Sequence, residues 1–455
     1  MRIHPPVPVT PPCKQLAFSA TRSCAQASAT AVFLFCLSAL CLSAAVAPDP
    51  LQPYRGPSIR GVDTSTLTGK VMTGYQGWFN CEGDGAGLGW THWARNKSKP
   101  FAPGNVTVDL WPDTSELTAG ERFTTGFKFA DGQPAEVFSS FNPETVRRHF
   151  RWMREYGIDG AFVQRFANGV KNEATRHHKD VVLANCREGA NREGRAYAVM
   201  YDLSGLPAGG VARVMEDWKR LRTQMHIGED PAYLRHRGKP LVAVWGVGFS
   251  NEKKPYTLAE CRALIGFLKA DGCSVMLGVP TGWREGKRDA VKDPALHEVL
   301  KLADVISPWT PGRYKDPQGA TRHGETYWKP DVAWCREHSL DYLPVVFPGF
   351  SWHNMKPESP LDQIPRLKGA FLWSQFVAAK RAGAGMIYVA MFDEVDEGTA
   401  IFKCTNKPPG RAAPFLTYEG LPSDHYLWLT GEGARLLRGE RLGTGDVPIR
   451  NQKSP

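Results

Sequence analysis

Eight short apolar runs recur along this chain, each separated from the next by a stretch with helical signals. The runs cover residues 69–79, 158–164, 196–201, 240–245, 274–279, 304–307, 342–347 and 386–392. Helices are predicted between them. The first, over 142–156, opens with Asn142 as N-cap and Pro143 in the first turn. Others are predicted over 177–189, 210–225, 257–270, 294–302, 330–337 and 369–382, with a last one inside 422–438. The fourth begins with Thr257 followed three residues later by Glu260, a capping box. Short buried strands alternating with helices predict a parallel sheet. Eight such units predict an α/β fold of the (β/α)8 TIM-barrel type, whose chemistry sits on the loops after the strands. A doubly wound open sheet is the rival, but no G-x-G-x-x-G follows the first strand. The connection after that strand, 80–141, is too long for a plain loop. Insertions of that length are usually functional, and this one reads as a lid or wall over the barrel mouth. A small hairpin is expected within it, 123–129 with 137–141.

In a barrel the strand ends share one mouth. Here they carry Tyr75, Gln76 and Trp78; Gln164 and Arg165; Tyr201 and Asp202; Trp245; Trp283 and Arg284; Trp309 and Arg313; Trp352 and His353; and finally Asp393, Glu394 and Glu397. A single Trp at a strand end is usually packing, and a single Arg or Asp usually an ion pair. Their recurrence points instead to a carbohydrate site, where sugar C–H faces stack on indole and hydroxyls take directional hydrogen bonds. The candidate substrate-binding residues are therefore Tyr75, Trp78, Gln164, Arg165, Asp202, Trp245, Trp309, Arg313, Trp352, His353 and Asp393.

The last strand end concentrates acids: Asp393, Glu394, Asp396 and Glu397 lie within five residues, directly after an apolar run. A solvated acidic turn is the plain alternative. Glycoside hydrolysis, however, needs two carboxyls in different protonation states. Crowding raises at least one of the pKa values and couples the titrations. Glu394 and Glu397 are the candidate catalytic pair. No cofactor and no metal is called for: there is no C-x-x-C and no tight His/Cys cluster.

The N-terminus reads as an address rather than as fold. Arg2, Lys14 and Arg22 precede an apolar run, and Ala45-Val46-Ala47 resembles a cleavage site, so 1–47 is predicted to be a signal peptide of an exported protein, periplasmic or extracellular. A retained anchor is the alternative, since 29–47 is 19 residues without charge. A lead-in is expected over 48–65, the barrel over 66–440 and a tail over 441–455. Removing 1–47 lowers the net charge from +10 to +7. That balance suits an acidic polymer or a solvated basic surface, but no nucleic-acid motif or dense basic block is present. The expected partner is a carbohydrate, with no nucleic acid, no stable membrane association after cleavage, and a monomeric state. Six cysteines remain, which an exported chain can pair in fifteen ways.

Phe392-Asp393-Glu394-Val395-Asp396-Glu397-Gly398-Thr399 resembles the Phe-Asn-Glu-Trp-His-Glu-Gly-Thr segment of glycoside hydrolase family 99, the endo-acting α-mannosidases and α-mannanases. Family 71, the fungal α-1,3-glucanases, is a neighbour. The segments 74–79, 109–113 and 160–165 look like a bacterial exported set described as family 71/99-like and often labelled xylosidase or arabinosidase. The resemblance implies a (β/α)8 retaining hydrolase of α-linked polysaccharide or glycan. It implies that Glu394 deprotonates the sugar 2-hydroxyl, so that the substrate's own oxygen attacks, and that Glu397 is the general acid and then base. Asp393, Val395 and Asp396 stand where the family has Asn, Trp and His, which bears on sugar specificity more than on the acid pair. Two other readings stay open. One is a xylosidase- or arabinosidase-type enzyme with a covalent intermediate, Asp202 partnering one of the glutamates. The other is a non-catalytic glycan-binding barrel.

Overall fold

A computed structural model describes residues 49–250, 255–410, 413–443 and 445–450. The predicted signal segment lies outside the described residues. The chain order is β1 (Val71–Tyr75), β2 (Phe123–Lys128), β3 (Pro134–Val137), α1 (Pro143–Glu155), β4 (Gly160–Phe166), α2 (Glu173–Glu193), β5 (Ala196–Asp202) and α3 (Val211–Thr223). It continues through β6 (Arg235–His236), β7 (Lys239–Trp245), α4 (Leu258–Ala270), β8 (Ser274–Pro280), α5 (Ala295–Leu300) and β9 (Val305–Trp309). It ends with α6 (Pro317–His323), α7 (Lys329–Glu337), β10 (Asp341–Tyr342), β11 (Val345–Val346), α8 (Ala370–Arg381), β12 (Ile387–Val389) and α9 (His425–Leu437).

The main sheet runs β10-β9-β8-β7-β5-β4-β1-β12-β11, all neighbours on this path parallel. Its two ends, β10 and β11, are the halves of the predicted seventh strand. Pro344 between them has no N–H to give a ladder, so one half pairs with β9 and the other with β12. That split strand closes the sheet into the (β/α)8 barrel. Helix ends follow the sequence signals: Asn142 accepts from the amides of Glu144 and Thr145, and Thr257 and Glu260 form the capping box. The unpredicted helix is α6, capped by Asp316 with Pro317 in its first turn. A π turn over Gly324–Trp328 joins it to α7. The tail is not separate from the barrel: Arg450 pairs with Asp424 at the start of α9 at 2.6 Å.

The long insertion is a wall with its own aromatic core. Trp93, Phe101, Trp111, Phe127 and Phe138 are all buried, with Phe101 stacked on Trp111 at 5.5 Å. The hairpin is present as β2 and β3, its second strand ending where the sequence reading began it. The six cysteines among the described residues are buried thiols.

Strand alternation decides which strand-end residues reach the mouth. On β4, Phe162 meets Tyr388 inside the barrel, so Gln164 also points inward and Arg165 points out. Arg165 is fully buried between β4 and the helices. Its Nε meets Asp217 Oδ2 at 2.5 Å and its Nη2 meets Asp180 Oδ1 at 2.6 Å. Arg220 pairs with the same two acids, and the Tyr201 hydroxyl donates to Asp217. This network clamps α2 and α3 onto the sheet. Removing one member of a buried ion network strands its partners. Arg165→Met is therefore expected to lower unfolding free energy by about 3–5 kcal/mol in urea titration, with the KM of the folded fraction unchanged. A raised KM at unchanged stability would return Arg165 to the binding set.

Candidate active site

The site is built at the seam where β12 meets β1. Phe392 donates its amide to Gly74 O, extending the β1–β12 ladder toward the mouth. Asp393 follows and is fully buried. It accepts the backbone amides of Gln76 at 2.8 Å and Gly77 at 2.9 Å. Burial pushes its carboxyl up to about 7, against the pull of those amides. Asp393 is thus a staple between the first and last strands, not a sugar ligand, which corrects the sequence assignment. The Gly77 turn, at φ 57°, needs glycine.

The staple aims Gln76 at the acids. Gln76 Nε2 donates to Glu394 Oε1 at 2.5 Å, and Thr399 Oγ1 donates to Glu394 Oε2 at 2.5 Å. Glu394 is 4% exposed. Burial, then the neighbouring Glu397 and Asp396, raise its pKa well above the ordinary carboxylate range, while the two donors oppose the rise. Glu397, in the turn that follows, is partly exposed. Burial and Asp396 push it up to about 7, with Lys356 pulling the other way. Its backbone carbonyl accepts from Ser351. Among the described residues no side chain hydrogen-bonds its carboxylate. The two glutamates titrate as one system. Gln76 and Thr399 put a donor on each oxygen of Glu394, and Glu397 has no such donor.

Asp396 is fully buried, and its Oδ2 lies 2.8 Å from His92 Nδ1. The His92 ring lies flat on Trp78, centroids 3.8 Å apart and planes 3° apart. Phe166 approaches Trp78 at 5.3 Å, so the indole is flanked by aromatic rings on two sides. The His92 ring in this stack is itself one-third exposed. Sequence reasoning missed His92 because nothing in an aperiodic insertion says which residue turns inward. Gln76 was recoverable from alternation, and Thr399 from its place in the Gly-Thr turn.

The other predicted residues divide. Gln164 sits inside, donating to the Tyr388 hydroxyl at 3.1 Å. Asp202 ends β5 on the same parity, accepting from Ser204 N at 2.6 Å. Trp245 and Trp309 meet edge to face at 5.6 Å, both half-buried. Trp352 and His353 stand on the loop after β11. Trp352 Nε1 donates to Ser359, Lys356 lies over its ring, and the His353 amide donates to Asp109. Two more assignments are corrected. Tyr75 is fully buried and faces out of the barrel, its hydroxyl 2.9 Å from His149. Arg313 is ion-paired with Asp289 and lines a separate cavity of about 440 Å³ with Arg288, Lys315 and Arg322. Of the strand-end residues left out of that set, Trp283 is buried against Trp334 and Arg284 pairs with Asp331. A further cavity of about 490 Å³, lined by Asp341, Tyr342 and Met386, lies at the opposite end of the barrel. Among the described residues no group of three or more His, Cys, Asp or Glu is placed to hold a metal ion.

No family model matches the chain. A glycoprotein endo-alpha-1,2-mannosidase-like protein from Danio rerio is 28% identical over 114 residues, 25% of this chain and 26% of that protein. The chain thus matches about a quarter of that curated relative's length. Among solved structures, the family 99 endo-alpha-mannosidase from Bacteroides thetaiotaomicron superposes with a TM-score of 0.60 at 19% identity, covering 82% of this chain and 99% of that one. The same protein in complex with Bis-Tris-propane gives the same figures. The fold defined by the barrel is therefore family 99-like, as the acidic segment suggested.

The insertion is pinned to the site by Asp109, which accepts from Ser351 Oγ at 2.5 Å and from the amides of His353 and Asn354 at 2.7 Å each. Its own amide donates to Val395 O, between the two glutamates. Asp109→Ala would strand three donors, at about 1–3 kcal/mol each. Hydrogen exchange at His353 and Asn354 is expected to accelerate while barrel-strand amides stay protected. Unchanged exchange there would show that the loop is held by other contacts.

Proposed function

We propose that this protein is an exported glycoside hydrolase acting on an α-linked polysaccharide or glycan with retention of configuration. The observation that carries the reading is the Glu394–Glu397 pair. Two coupled carboxyls stand at the barrel mouth, one with a donor on each oxygen and the other with none. In this reading Glu394, its two oxygens held by Gln76 and Thr399, takes the proton of the sugar 2-hydroxyl as that oxygen attacks the anomeric carbon. Glu397 gives its proton to the departing oxygen, then takes one from the water that attacks the anomeric carbon, while the bond from that carbon to the 2-oxygen breaks and Glu394 returns its proton to that oxygen. Each displacement inverts the anomeric carbon, so two give net retention. The similarity to a solved endo-alpha-mannosidase fold and the segment match to an endo-alpha-1,2-mannosidase-like protein support the substrate class. Gln164, Asp202, Trp245, Trp309 and the His92 face are positioned to orient the sugar. Residues 1–47 act as the export signal, tested by N-terminal sequencing of the mature protein. A mature chain that begins at Met1 would overturn that part.

The test is a polysaccharide and glycan screen with products followed by NMR. The α-anomer is expected to form first, and inversion would sink the mechanism. Glu397→Gln should lower kcat by about 10²–10⁴. Glu397 is pushed up to about 7 and must carry its proton, so kcat/KM should fall as pH rises through about 7. Activity that keeps rising above that pH would remove Glu397 as the acid.

A further inference from the structure

The wall contributes one titratable side chain to the acid cluster. His92 adopts a left-handed backbone, φ 63°, uncommon outside glycine and often found where a side chain must be aimed. Thr107 Oγ1 donates to His92 O at 2.5 Å and holds that backbone. The ring is fixed by parallel stacking on Trp78. Its Nδ1 is 2.8 Å from Asp396 Oδ2. An ionised carboxylate only accepts, so Nδ1 carries the hydrogen. The other Asp396 oxygen, Oδ1, is buried with no hydrogen-bond partner. Among the described residues the imidazole is thus the single side-chain donor to a fully buried acid that lies between the two glutamates in sequence.

Resting on the hydrolase reading above, we infer that His92 is a positioning residue for the acid pair: it fixes Asp396 beside the two glutamates, where the Asp396 side chain favours retention of a proton by the pair. Asp396 raises the proton affinity of both Glu397 and Glu394. The charged and titratable groups around the pair act as follows. Glu394 and Asp396 repel a charge on Glu397, and Lys356 from the loop after β11 attracts it. His178 on α2 lies within electrostatic reach of His92 and of Asp84. None of these other groups hydrogen-bonds Asp396 through its side chain. The arrangement also accounts for Asp396 where the resembling segment carries His. The imidazole reaches the acid cluster from a different part of the chain, and the carboxylate it meets supplies a charge the family residue would not.

The experiment compares pH profiles of kcat/KM for the parent, His92→Phe, His92→Asn, Asp396→Asn and the double variant H92F/D396N. Phenylalanine keeps a ring on Trp78 and loses the donor, while asparagine keeps a donor and loses the ring. H92F and D396N are each expected to move the alkaline limb to lower pH, on the order of one unit. H92N is expected to leave the limb near the parent position, and the double variant should match either single one, because the two side chains act as one unit. NMR of the protein without substrate should show a hydrogen-bonded Nδ1 proton for His92 that is lost in D396N and kept in E397Q. A limb unmoved in H92F and D396N, shifts that add in the double variant, or an Nδ1 proton indifferent to D396N would overturn the proposal while leaving the hydrolase reading intact. A parent without turnover on any glycan would instead sink the hydrolase reading, and this one with it.

Discussion

The site depends on one buried carboxylate. Asp393 takes the amides of Gln76 and Gly77 where the first and last strands of the barrel meet. A barrel closes by pairing strands far apart in sequence, and β12 has only three residues in its ladder. The seam would end in unpaired amides just where the acids begin, and Asp393 supplies the acceptors that a longer strand would have supplied. Burial costs it, raising its carboxyl toward about 7. The two charge-assisted bonds offset part of that cost. Fixing Gln76 N also fixes where the Gln76 side chain points, so the same staple that closes the barrel presents a donor to Glu394.

Asp109 does the same work from the outside. It ties the insertion to the loop after β11 through three accepted hydrogen bonds, and to the acid loop through its own amide on Val395 O. The insertion therefore behaves as part of the mouth. Its aromatic core makes it stiff, and a stiff wall can deliver a single imidazole to a defined place. A floppy lid would lose the 2.8 Å contact between His92 and Asp396 with every opening.

The barrel was legible because its signal is repeated. Eight apolar runs and capped helices leave few other solutions, and strands β4, β5, β7 and β8 fall within two residues of the predicted runs. The site was legible only where the signal was local. Glu394 and Glu397 lie on one short loop, and their crowding is visible in sequence. Residues named from strand ends were sorted by a parity that composition does not reveal. Gln164 and Arg165 are adjacent, yet one faces the barrel and the other the helices. Tyr75 and Gln76 divide in the same way. A one-residue change of register exchanges the two faces, and both members of each pair are polar, so hydrophobic patterning could not choose. The seventh strand, broken at Pro344, and α6, with its Gly319 and following π turn, lacked the periodicity that marked their neighbours.

Four acids in five residues after a buried strand would destabilise the fold if they shared one environment. They do not, because each meets a different part of the chain. Asp393 faces backbone amides of β1, Glu394 faces Gln76 and Thr399, and Asp396 faces His92 from the wall. Glu397 alone has no side-chain donor among the described residues, and it is also the one that reaches solvent. A group that must hold a proton, give it up and take it back gains nothing from a fixed donor, which would favour its charged form throughout. The other three acids need their donors to remain in place. On the proposed reading, the missing partner at Glu397 is therefore the feature that suits it to be the acid, and the partners of the other three are what allow it to stand there.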